Sequence, residues 1–98
     1  MPELTPSAFV VLRSVQQLAA DSGRIVILDH CRKRMLKRHV TRRQIELCLL
    51  KGTASEGPFM NAHGNWQVNL YRHAAGEALT CTVVLETRTK RLLVITVF

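Results

Sequence analysis

The 98-residue sequence predicts an α+β domain, with helices packed on one face of an antiparallel sheet. Three observations predict it. Apolar residues before Gly52 recur at helical spacing, whereas those after it alternate with a period of two. Helix-start signals crowd the first half of the chain. Turn signals divide the second half into short runs rich in β-branched residues. A chain of this length buries roughly 60–65% of its unfolded surface, enough for one core and no second lobe.

Thr5 before Pro6 reads as an N-cap with proline at the first helical position. Ala8, Val11, Val15 and Leu18 carry the helical period onward, and Ser22-Gly23 reads as its stop. "RIVIL" over residues 24–28 reads as a short buried strand. Asp29 is expected to cap the next helix, its carboxylate favoured at the positive helix end. At 100° per residue Cys31 and Met35 fall on the core face of that helix. "TRRQ" from Thr41 has the form of a capping box and opens a third helix. Ile45, Cys48 and Leu49 form its apolar face, Lys51 lies in its last turn, and Gly52 ends it.

Beyond Gly52, Trp66, Val68 and Leu70 alternate with Gln67, Asn69 and Tyr71. Leu79, Cys81, Val83 and Leu85 alternate with Thr80, Thr82 and Val84 in the next run. "KRLLVITVF" is apolar on both parities, the pattern of a strand buried on both faces. Gly76 and "TRTK" mark the hairpin turns between these runs. "TASEGPFMNAHG" is expected to be an edge strand or a loop, because Pro58 has no N–H to donate. Residues 1–23 therefore read as an N-terminal helical extension, and residues 24–98 as the α+β domain.

Fourteen basic and seven acidic residues give a formal charge of +7. Half of the basic residues fall between His30 and Arg43, a run with no acid. Such an excess favours an anionic partner: nucleic acid, an acidic protein or an anionic membrane. Membrane ranks last, since the basic helix lacks a wide apolar face with Trp or Phe beside it. No run approaches the roughly 20 apolar residues that span a bilayer. The N-terminal stretch lacks a basic n-region and does not read as a signal peptide. The expected location is cytoplasmic. Cys31, Cys48 and Cys81 are odd in number, widely spaced and set among apolar residues, as buried reduced thiols are. His30, Cys31 and His39 have no second ligand cluster to complete a metal site, so no metal or other cofactor is expected.

His30, Arg34, Lys37 and Arg38 form one stripe on the basic helix. Metal-free RNA cleavage needs a base for the 2′-hydroxyl, cations for the phosphorane and an acid for the leaving oxygen. His30 suits the first or last role, and Arg34 and Arg38 suit the second. A plainer reading has His30 at the helix junction and the arginines solvated or paired with Glu46, Glu56 or Glu86. Both readings stay open on the sequence. Tyr71 beside Arg72 suits base stacking or proton donation; the plainer reading packs Tyr71 under a helix. Arg42 extends the basic run, and Arg88, Lys90 and Arg91 at the last hairpin extend a phosphate track. The candidates for catalysis are thus His30, Arg34 and Tyr71. Those for nucleic-acid contact are Arg34, Lys37, Arg38, Arg42, Arg72, Arg88 and Lys90. Trp66 reads as core and His39 as the corner between helices. His63 and His73 read as loop residues with no assigned role.

His30, Arg34, Met35, Arg38, Val40 and Thr41 resemble the H-A-x-x-R-M-x-x-R-x-[IV]-[ST] signature of a bacterial family of small domains. That family is grouped with RelE/ParE/BrnT-like toxins of toxin–antitoxin pairs. The resemblance covers about residues 24–98 and implies a RelE-like fold, two helices against a twisted antiparallel sheet. It also implies a nucleic-acid target, with messenger RNA on the ribosome the best-known one, and an acidic antitoxin as protein partner. Two departures accompany it. Cys31 stands where the signature has Ala, and the sequence ends at Phe98 within the last expected strand, where those toxins often carry a catalytic Tyr or His. Both weigh against cleavage and leave the expected fold untouched.

Overall fold

The computed structural model describes residues 6–98. The expected Thr5 cap lies outside them. The first helix, α1 (Pro6–Ala19), buries Val11, Val15 and Ala19, one residue per helical turn. It ends before the expected Ser22-Gly23 stop, and a short 3₁₀ turn over Ser22–Arg24 follows. Asp21 caps that turn by accepting from the Gly23 N–H at 3.0 Å. Strand β1 (Ile25–Ile27) then buries Ile25 and Ile27.

Helix α2 (Asp29–Arg38) begins at its expected cap, one residue earlier than the sequence predicts. Leu28 occupies the N-cap with no side-chain bond, and Asp29 falls in the first turn, still favoured by the helix dipole. The Leu28 N–H donates to Val94 O at 3.2 Å and pins the helix start to the sheet. His39, at φ 55°, ends α2 in the left-handed region and turns the corner into the next helix. Helix α3 (Arg42–Lys51) has the expected capping box in full. Gln44 N donates to Thr41 Oγ1 at 3.2 Å, and Thr41 N donates to Gln44 Oε1 at 2.7 Å. Its core face carries Ile45, Cys48 and Leu49, all fully buried.

The sheet contains β2 (Thr53–Met60), β3 (Trp66–Ala74), β4 (Glu77–Glu86) and β5 (Arg91–Val97) besides β1. Its order is β1-β5-β4-β3-β2. The sheet is mixed rather than antiparallel throughout, because β1 lies parallel to β5, with Ile25 opposite Leu92 and Ile27 opposite Val94. Helices α2 and α3 and strands β2 to β4 lie between the two in sequence, the long connection that a parallel pairing requires. β5 is therefore an interior strand, in keeping with its apolar residues on both parities. β2 is an edge strand with two register shifts and a cis Gly57–Pro58 peptide, as the proline demands. Ala75 and Gly76, both at positive φ, join β3 to β4 in a two-residue hairpin loop.

One core lies between the helices and the sheet. Val68 and Leu70 of β3, Cys81, Val83 and Leu85 of β4, and Leu92, Val94 and Val97 of β5 meet residues of all three helices there. Trp66 packs against its edge, as expected. Val11, Val15 and Ala19 place α1 in the same core. Cys31, Cys48 and Cys81 are free thiols with no exposure. Burial raises the Cys31 pKa, offset in part by Arg32. The neighbouring Cys48 and then burial push the Cys81 thiol far above its ordinary value. Cys48 Sγ donates to Leu70 O at 3.3 Å. All three pack in the core as small apolar side chains.

Candidate nucleic-acid interface

The acid-free run divides, in three dimensions, into cations held by the protein and cations left open. Arg32 Nε donates to Ile27 O at 3.2 Å and closes the turn from β1 into α2. Arg34, half-buried, donates from Nε to Val97 O at 3.4 Å, tying α2 to the end of β5. Arg42 reaches back to Ser22 O at 2.8 Å and Ile25 O at 2.9 Å through Nη2. Its Nε lies 3.4 Å from Glu46, and Arg43 Nη1 lies 3.3 Å from the same carboxylate. Lys33, Lys37 and Arg38 are exposed and have no ion pair or hydrogen bond among the described residues.

His30 stands exposed in the first turn of α2, above Arg34 at i+4 and Arg38 at i+8. Tyr71 is not packed under a helix. Val68 and Leu70 turn the even positions of β3 toward the core, so Tyr71 faces the opposite side of the sheet, 39% exposed. His30 and Arg34 on α2 and Tyr71 on the far face do not meet. His73 lies within β3 rather than in a loop, while His63 sits in the turn after β2, as expected.

Arg72 follows Tyr71 and takes the helix side of β3. Arg72 and Arg38 line one cleft of about 440 Å³ with Val40, Gln44, Leu47 and Glu77. The Ala75–Gly76 loop brings the ends of β3 and β4 to that cleft, and the His39 corner brings the end of α2. Gln44 Nε2 donates to Glu77 Oε2 at 3.2 Å across it. Neither arginine forms an ion pair or a hydrogen bond among the described residues. Sequence reasoning missed Gln44 and Glu77 as site residues. The capping box located Gln44 on its helix, but nothing local showed what its amide would face.

Arg88 and Lys90 lie in the β4–β5 turn, at the other end of β4. Arg72 pairs with Leu79, seven residues before Glu86. At about 3.3 Å per residue that separates them from Arg72 by roughly 23 Å. Lys90 also lends its carbonyl oxygen to Arg24 Nη1, at 3.2 Å. The larger groove of about 810 Å³ lies elsewhere, between α1 and β2, beside Phe9, Leu12 and Ala54 with one cation, Arg13. No group of three or more His, Cys, Asp or Glu placed to hold a metal ion occurs among the described residues. No helix among them is long and apolar enough to cross a membrane.

The family model described as Domain of unknown function (DUF4258) matches residues 27–98. The chain belongs to that family. The DUF4258 match takes in α2, α3 and strands β2 to β5, and hence both walls of the Arg38–Arg72 cleft; α1 precedes it. No curated protein and no solved structure matches the chain at a significant level.

Proposed function

We propose that this DUF4258 domain binds single-stranded RNA, and that Arg38 and Arg72 hold its phosphates with Lys33 and Lys37 beside them. One observation carries the reading: two unpartnered arginines, 34 positions apart in sequence, converge on one cleft. Two cations facing one cleft favour an anionic ligand there. A guanidinium fork fits a phosphate through two parallel N–H···O bonds, which suits backbone recognition. The RelE-like resemblance supports RNA as the nucleic acid and a toxin–antitoxin pair as the setting, with an acidic protein as the partner of the same surface.

The reading is of binding rather than cleavage. Arg34, the cation that would stabilise a phosphorane beside His30, is engaged by the Val97 carbonyl. Tyr71, the candidate acid, lies on the other face of the sheet.

The test is the affinity of purified protein for a single-stranded RNA across a salt series, by fluorescence anisotropy. For Z phosphate contacts, log K falls with log salt at a slope of about −0.7Z. Arg38→Gln with Arg72→Gln removes two contacts and is expected to flatten the slope by about 1.4. The same double change at Arg88 and Lys90 should alter it far less. An unchanged slope in the Arg38/Arg72 variant contradicts the reading.

A further inference from the structure

Resting on the RNA-binding reading above, we propose that the cleft takes one unstacked guanine nucleotide of the strand. Arg38 and Arg72 would hold its phosphate, and the Glu77 carboxylate would read its Watson–Crick edge. The cleft offers two kinds of polar group. Arg38 and Arg72 are donors that cannot accept. The Gln44 amide is already used at both ends: its oxygen accepts from Thr41 N at 2.7 Å, and its nitrogen donates to Glu77 at 3.2 Å. Glu77 is therefore the side chain lining the cleft with the most acceptor capacity left. A carboxylate has about four lone-pair sites, of which Gln44 occupies one. Neither arginine pairs with it, so the cationic and anionic parts of the cleft stay separate.

A ligand that satisfies both parts brings an anion and a pair of adjacent donors. Among the four bases only guanine has two neighbouring donors on that edge, N1–H and the N2 amino group, matching the two carboxylate oxygens. Adenine and cytosine set a ring nitrogen lone pair beside their amino group, and that lone pair repels the carboxylate. Uracil flanks its single N–H with two carbonyl oxygens, which repel it likewise. Val40, Leu47 and Leu79 supply the apolar wall for the base. A volume of about 440 Å³ lies within the range of roughly 300–1,000 Å³ typical of small-molecule sites. It admits one extruded nucleotide and no duplex, in line with how proteins read single-stranded RNA.

The experiment measures binding of an oligouridylate with G, A, C or U at its central position to wild-type protein and to Glu77→Gln. Glu77 is exposed, and the melting temperature of the variant verifies its fold. The G-containing strand is expected to bind roughly tenfold or more tightly than the other three. In Glu77→Gln that preference disappears while affinity for the all-U strand is kept. Equal affinity of wild type for all four strands overturns the guanine proposal and leaves the RNA-binding reading standing. Binding to none of them at low salt overturns both. A G preference that survives in Glu77→Gln overturns the role of Glu77. Titration with free GMP is the second arm. Much weaker binding than the strand supports a residue within RNA, whose flanking phosphates reach Lys33 and Lys37. GMP binding as tightly as the strand overturns that and makes a mononucleotide the ligand.

Discussion

Arg42 and Arg43 stand in the acid-free run, and both end at one carboxylate, Glu46, at 3.4 and 3.3 Å. Ser22 Oγ donates to the same group and is the main cause of its lowered pKa, with the two arginines adding to it. A carboxyl whose pKa is depressed on folding stabilises the fold above its unfolded pKa, about 4.3, and loses that contribution as pH falls through the folded value. Urea unfolding of wild type should therefore show stability declining below about pH 4.3, partly through this group. Glu46→Gln is expected to lower stability at neutral pH and to make that decline shallower. Identical pH profiles for the two proteins would show that Glu46 does not tie α3 to the 3₁₀ turn. The same residue explains why charge counting overstated the surface. Seven cations lie between His30 and Arg43, but Arg32, Arg34, Arg42 and Arg43 have partners within the fold. Glu46 lies within a helical turn of Arg42 and Arg43, a pairing the helix period allows, but the carbonyl oxygens that Arg34 and Arg42 reach are distant in sequence, and no local pattern contains them.

Elements with a strong period of their own were legible. α1 and α3 follow from apolar spacing and the capping box, and β3 and β4 follow from a period of two that Val84 interrupts in β4. β1 was legible as a strand but not in its pairing. Three residues carry no sign of which neighbour they join, and its partner β5 lies about 65 positions away. Arg72 was placed on the correct strand, yet its side of the sheet relative to α2 depended on the hairpin and the crossover together. The junction of α3 and β2 gives a sharper test at this scale. Gly52 joins them with backbone on both sides. A Cβ there would lie 2.4 Å from Cys48 O and 3.0 Å from Tyr71 O. Gly52→Ala must part the helix end from β3 and should destabilise the domain by about 1–3 kcal/mol. For a domain of this size each kcal/mol lowers the melting temperature by roughly 4–8 °C. A melting temperature unchanged from wild type would mean that α3 does not approach β3 this closely.

Across the whole molecule, the +7 charge does not form one uniform surface. Arg88 and Lys90 occupy one end of β4, and the Arg38–Arg72 cleft occupies the other, with Lys33 and Lys37 exposed along α2. The apolar core and the short tethers of Arg32 and Arg34 hold α2 against the sheet, so that its last turn overhangs the β3–β4 loop. RNA binding at this overhang is tested by amide chemical-shift mapping of isotope-labelled protein during titration with a single-stranded RNA. The largest shifts are expected at Arg38, Gln44, Arg72 and the Ala75–Glu77 loop, saturating together, with Arg88 and Lys90 little changed. Shifts centred on the β4–β5 turn, or on Tyr71 and its neighbours across the far face of the sheet, would contradict it.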